Sequence, residues 1–134
     1  MVDPDVSIVL EVDIAGDVPG IKAKEAQTKM GKGPGLIAWD RSMIPNQPFK
    51  ELAIETAKQA QIPLQLSLVN GGTDGGRIHV NKAGCPTIVI TVPTRHIHSH
   101  VGMLSLKDTE NAIRLVIELL KKLDKDTVES FTAL

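Results

Sequence analysis

The sequence predicts a layered α/β fold, a largely parallel and possibly mixed sheet flanked by helices. Runs rich in β-branched residues at 7–12 and 86–92 have the length and composition of strands. Apolar residues within 49–60 and 112–123 recur at helical spacing. Strand-like and helix-like stretches alternate along the chain, the pattern that builds such layers.

Ser7-Ile8-Val9-Leu10-Glu11-Val12 reads as a buried strand, closed by the turn chemistry of residues 15–20. From Ile21 to Lys32 the chain is polar and without period, a solvated excursion that ends in Gly31-Lys32-Gly33-Pro34-Gly35. No stretch fits G-x-x-x-x-G-K-[ST], so this loop is not a phosphate cradle. Leu36–Trp39 reads as a second strand. Asn46 as N-cap and Pro48 in the first turn open an amphipathic helix carrying Phe49, Leu52, Ala53, Ala57 and Ala60, and Pro63 stops it. Leu64–Val69 is a third strand.

A glycine-rich turn, Gly71-Gly72-Thr73-Asp74-Gly75-Gly76, and a short helix around Arg77–Lys82 then lead to the strand Pro86–Val92, which suggests a parallel crossover. Asp108 is the expected cap of the last helix. Ala112, Ile113, Val116, Ile117, Leu119, Leu120 and Leu123 make its wide apolar stripe, expected to dock on the sheet. At 134 residues there is room for one core. A single domain is expected over residues 1–125, with 126–134 frayed.

Composition narrows the function. Fifteen Lys and Arg against sixteen Asp and Glu leave a net charge of −1, so nothing favours nucleic acid or an anionic membrane. Trp39, Phe49 and Phe131 are the only aromatic residues, too few to stack bases or line a sugar cleft. No apolar run is long enough to span a bilayer, and the acidic start, Met1-Val2-Asp3-Pro4-Asp5, is unlike a signal peptide. The lone Cys85 excludes an internal disulfide. A cytoplasmic protein is expected.

Three features carry chemistry. His96, His98 and His100 alternate just after the strongest strand. Extended, two of them could share a metal ion, whose other ligands must come from elsewhere. Glu11 interrupts an apolar strand, where an unpaired charge is costly. A salt bridge, a solvent-facing position or a divalent cation would each compensate it, and Asp13 or Asp17 could take its place. The glycine turn precedes a helix, and a tight turn capped by Thr73 or Asp74 explains it as well as anion binding does. In a parallel sheet all three features would fall near the strands' carboxyl ends, where open α/β sheets bind ligands.

Four segments in order carry a resemblance: residues 9–20 (VLEVDIAGDVPG), 30–34 (MGKGP), 71–79 (GGTDGGRIH) and 94–99 (TRHIHS). Together they resemble the carboxyl-terminal part of the glutamyl aminopeptidase and tetrahedral (TET) aminopeptidase family. These are dinuclear zinc or cobalt exopeptidases, often labelled cellulase or endoglucanase.

The resemblance implies a zinc-peptidase-like fold, present in part. It implies that Glu11 stands where the family has an acidic ligand of one metal, and His98 where it has the histidine ligand of the other. Thr73, Asp74 and Arg95 are implied on the substrate side. The family's Arg-Tyr-x-His becomes Arg95-His96-Ile97-His98, with a histidine in place of the tyrosine.

The family's upstream His-x-Asp and Glu-Glu motifs are absent from this chain. Peptides are the implied substrates of a complete enzyme. Two divalent ions, weakly held or not held by this chain alone, are the implied cofactors. A missing N-terminal portion and self-association complete the expectation. The alternatives are a non-catalytic structural or partner-binding domain and, less favoured, a glucanase.

Overall fold

The computed structural model describes residues 2–22, 24 and 27–132. The elements run β1 (Ser7–Ile14), β2 (Gly35–Asp40), α1 (Gln47–Gln59), β3 (Gln65–Val69), α2 (Gly75–Ile78), β4 (Thr87–Arg95), β5 (Met103–Leu104), α3 (Leu106–Leu120) and α4 (Lys125–Ser130). The strands lie in the order β1-β4-β2-β3, and β5 pairs with the end of β4. β1 and β4 are parallel along their whole overlap, as are β2 and β3. Between them β2 meets β4 antiparallel, only over Gly35↔Thr91 and Leu36↔Ile90. The sheet is therefore mixed.

The expected parallel crossover from β3 to β4 does not form: β3 runs parallel to β2 and β2 antiparallel to β4, so β3 and β4 point in opposite directions. A parallel return must travel the length of the sheet. The four residues of α2 advance about 6 Å, against about 17 Å for the five residues of β3. The parallel crossover is instead β2-α1-β3, for which the 13-residue α1 is long enough. It begins as expected: Asn46 Oδ1 accepts from the Phe49 N–H at 3.0 Å, with Pro48 in the first turn. It ends at Gln59, and Gln61 then takes a left-handed φ of 54° ahead of Pro63.

The two faces of the sheet carry different cores. On one, Leu36, Ile88 and Ile90 pack with Phe49, Ala53, Ala112, Leu115 and Leu119 of α1 and α3. On the other, Ile37, Met43 and Val89 form a smaller cluster with Val9 and Val69. β1 is not a buried strand. It ends the strand path, and its Leu10, Val12 and Ile14 are 65%, 47% and 43% exposed.

Two further expectations change. Ser105, not Asp108, caps α3 by accepting from the Asp108 N–H. The buried Asp108 carboxylate instead accepts the Gly31 and Gly33 N–H groups at 2.6 and 2.8 Å, tying the loop before β2 to α3. The stretch after residue 125 is not frayed over its described part. Asp124 caps α4, and Phe131 stacks on Phe49 with centroids 4.7 Å apart, because an aromatic ring near the end of the chain finds a core to enter. Ala133 and Leu134 lie outside the described residues, as do Ala23, Glu25 and Ala26 of the polar excursion. Within that excursion Thr28 is wholly buried, so it is not solvated throughout.

Candidate functional site

Strand alternation puts Glu11 and Asp13 on the face of the smaller cluster, together with Val9. Their environments differ. Asp13 is 6% exposed, and its carboxylate accepts the Ile14 N–H at 2.7 Å, the Ser67 hydroxyl at 2.5 Å and the Thr28 hydroxyl at 3.2 Å. Glu11 is partly exposed, and its carboxylate accepts from the Asp74 N–H over a long 3.4 Å.

The Asp13–Ser67 bond has a structural consequence. β1 and β3 stand at opposite ends of the strand path, and flat strands spaced about 4.8 Å apart would hold them about 14 Å from each other. A direct bond requires the sheet to curl over this face. Gly35 makes room for the curl, since a Cβ there would stand 2.3 Å from Thr91 Oγ1 and 3.7 Å from Asp13 Oδ2. The result is a cleft of about 420 Å³ with Glu11, Asp13, Ser67, Gly71, Thr73 and His98 among its lining residues.

The glycine turn is held down by Asp40, at the end of β2. Its carboxylate accepts the Ser42 N–H at 2.6 Å, the Ser42 hydroxyl at 2.7 Å and the Thr73 hydroxyl at 2.7 Å. Burial alone would raise its pKa. The Thr73 and Ser42 hydroxyls and the Ser42 and Met43 backbone outweigh that and hold it below the usual carboxylate value. Glycine is required at position 76, where a Cβ would lie 2.1 Å from Ser42 Oγ and 2.5 Å from its Cβ. So seated, the turn aims the Asp74 N–H at Glu11.

The histidine segment is a tight loop rather than an extended ladder. His96 and His98 adopt φ of 60° and 61°, left-handed values uncommon outside glycine. The Ser99 hydroxyl lies 2.7 Å from both the His96 and Val101 carbonyl oxygens and, with one proton, donates to one at a time. His98 enters the cleft lining; His96 and His100 do not. Arg95 pairs with Asp17 through Nε at 3.2 Å and Nη2 at 2.5 Å. The bond from Arg95 holds the Asp17 pKa below its ordinary value.

Among the expected site residues, the structure thus brings Glu11, Thr73 and His98 to one cleft. Asp74 contributes a backbone N–H, and Arg95 is engaged with Asp17 outside the lining. Sequence reasoning missed Asp40, Ser67 and Thr28. The available signal was an acid closing the second strand; nothing marked two hydroxyl residues far apart in the chain. A carboxylate and an imidazole suit a divalent cation by type, but a protein site normally supplies three or four ligands. Among the described residues no group of three or more His, Cys, Asp or Glu could hold a metal ion. These residues fit part of a metal site.

The profile of the M42 glutamyl aminopeptidases matches residues 1–115, and the chain belongs to that family. A TET aminopeptidase from the marine sediment archaeon Thaumarchaeota archaeon SCGC AB-539-E09 superposes with a TM-score of 0.94 at 78% identity, over 96% of this chain and 36% of that one. The TET1 peptidase of Pyrococcus horikoshii, which can assemble into a tetrahedron or a large octahedral shell, gives 0.67 at 27% identity over 85% and 32%. The lysyl aminopeptidase of Pyrococcus furiosus is 35% identical over 124 residues, 91% of this chain and 34% of its own length. The chain spans about a third of the proteins it resembles. No helix among the described residues is long and apolar enough to cross a membrane.

Proposed function

We propose that this chain carries part of the catalytic centre of a cytoplasmic, metal-dependent aminopeptidase that removes N-terminal residues from peptides. Glu11 would supply one ligand to one divalent ion and His98 one ligand to a second, with zinc or cobalt as the metals. The other ligands and the proton-accepting carboxylate would come from the remainder of a family-length chain. Such ions polarise a scissile carbonyl and make a bound water acidic.

The observation that carries this reading is that Glu11 and His98 line one cleft with the glycine turn between β3 and α2. Asp13, the alternative ligand, has both carboxylate oxygens engaged by protein donors, which favours Glu11. Thr73 and the Asp74 backbone form a polar rim where a peptide could lie. Arg95, engaged with Asp17, acts in this reading as a clamp between the β4 exit and the loop after β1. The TET1 relative's assembly supports self-association of the complete protein. Glycoside hydrolysis fits less well, because no Phe, Tyr or Trp is among the residues lining the cleft.

Alone, the chain should bind zinc weakly and turn over little. Calorimetric titration with zinc should give a dissociation constant above about 10 μM that rises further in Glu11→Gln, since two ligands cannot close a site. Assays on N-terminal Glu, Asp and Leu amides with added zinc or cobalt should be near background. Tight stoichiometric binding, or robust turnover by the isolated chain, would refute the proposed division of the site.

A further inference from the structure

We infer that Asp40 is a positioning residue for the cleft: by taking the single hydroxyl proton of Thr73 it leaves that oxygen an acceptor, which reads a main-chain N–H of a bound peptide. The inference rests on reading the cleft as a peptide site. Thr73 Oγ1 donates to Asp40 Oδ2 at 2.7 Å, and a hydroxyl has one proton to give. The direction of this bond is fixed from the other side. Asp40 is only 1% exposed, and its Oδ1 accepts the Ser42 N–H at 2.6 Å and the Ser42 hydroxyl at 2.7 Å. These donors and Thr73 keep the carboxylate below its usual pKa, so at neutral pH it has no proton to offer Thr73 in return.

What remains on Thr73 Oγ1 is lone pairs. Thr73 is partly exposed and lines the cleft, so those lone pairs are what a ligand meets, and among the described residues no donor reaches them. Ser67, the other hydroxyl of the lining, spends its proton on Asp13 in the same way but is only 2% exposed. Backbone acceptors of the turn are engaged as well: the Gly71 carbonyl takes the Arg41 N–H at 3.0 Å, and the Thr73 carbonyl takes the Gly76 N–H at 3.0 Å. The Thr73 hydroxyl oxygen is therefore the side-chain acceptor that the turn presents to the cleft.

The ligand group follows from this polarity. An oxygen offering only lone pairs matches an N–H and repels a carbonyl or carboxylate oxygen. A main-chain N–H suits it better than a cationic side chain, because Thr73 is neutral and the Asp40 charge is already met by three donors. The two preceding residues, Gly71 and Gly72, are exposed and let another backbone come close. Neither a left-handed φ nor a close neighbour requires glycine at position 71, where a Cβ would meet nothing nearer than Val69 Cγ1 at 3.8 Å. Asparagine at position 40 would reverse the reading. With its carbonyl oxygen kept by the two Ser42 donors, its amide nitrogen would donate to Thr73 Oγ1 and free the hydroxyl proton for the cleft.

The test titrates this chain with leucyl-glycyl-glycinamide and with two analogues in which one or the other N–H between residues is replaced by an ester oxygen, following the amide NMR shifts of residues 69–74. One of the two replacements should weaken binding at least about threefold, the loss of one hydrogen bond. That penalty should persist in Thr73→Ser, vanish in Thr73→Val, and vanish or invert in Asp40→Asn. Circular dichroism on each variant separates a lost preference from a lost fold, and if Asp40→Asn does not fold, the two Thr73 variants decide. The inference is overturned if neither replacement weakens binding, if the penalty survives Thr73→Val, or if a folded Asp40→Asn keeps the unmodified preference. It is equally overturned if the peptide, added to its solubility limit, moves no cleft signal. Zinc titration separates the two claims. A Thr73-dependent penalty in a chain whose zinc affinity ignores Glu11→Gln supports the inference and counts against the metal reading, and the opposite pattern overturns the inference alone.

Discussion

Replacing Asp13 by alanine tests the curl that makes the cleft. The carboxylate is buried, and the substitution removes the acceptor of the Ser67 hydroxyl at 2.5 Å and the Ile14 N–H at 2.7 Å. Thr28 loses less, since its hydroxyl also reaches the Ile14 carbonyl at 3.1 Å. Hydrogen bonds to a charged acceptor contribute about 1.5–3 kcal/mol each, and an orphaned buried donor costs a further share. Counting Ser67 fully and Ile14 in part, because β1 is an edge where water can replace the acceptor, the loss should be about 2–4 kcal/mol.

In urea, at a slope of about 2 kcal/mol per molar, that lowers the unfolding midpoint by about 1–2 M, readable by circular dichroism. A double-mutant cycle with Ser67→Ala should show coupling of at least about 1 kcal/mol. A loss for Asp13→Ala below about 0.5 kcal/mol, or additive cycle energies, would refute the idea that this bond holds the sheet over the cleft.

Two further outcomes follow from the same geometry. Gly76→Ala drives a methyl into Ser42 and should lower stability by about 1–3 kcal/mol, with Ser42→Gly restoring much of it in thermal melts; equal losses with and without Ser42→Gly would refute the clash. Asp17 has a folded-state pKa below its unfolded value of about 3.9, so the Arg95 pair stabilises fully above that value and is lost as pH falls through the depressed one. Asp17→Asn should cost about 1 kcal/mol or less at neutral pH, because the pair is partly exposed, and should flatten the acid limb of a stability–pH curve. A limb as steep as that of the unmodified chain would show that other carboxylates govern it.

The elements were legible because their signals are local. Asn46 and Pro48 marked the start of α1, and the run before Val92 marked β4. The ends of elements were less legible. Strand β4 runs on through Pro93 to Arg95, where pairing with β1 as far as Thr94 and with β5 at Thr94 and Arg95 overrides local preference. α3 is capped by Ser105, while Asp108, an equally good cap by composition, is drawn to the Gly31 and Gly33 amides. Residue types and order carried Glu11 and His98 as candidates. Arg95 was a candidate for the substrate side, and only the structure pairs it with Asp17.

Residue order alone thus determined the α/β class, most of the strands and helices and the family, and it supplied Glu11 and His98 as candidates. Chemistry and local periodicity are written along the chain. Strand direction, the curl over Gly35, the engagement of Asp13 and Asp40, and the bare flank of α3 were decided only by the tertiary structure. They depend on contacts between segments far apart in sequence: residue 13 with residue 67, residue 40 with residue 73. An exposed apolar stripe and a buried one have the same periodicity, and only the packed molecule shows which is which.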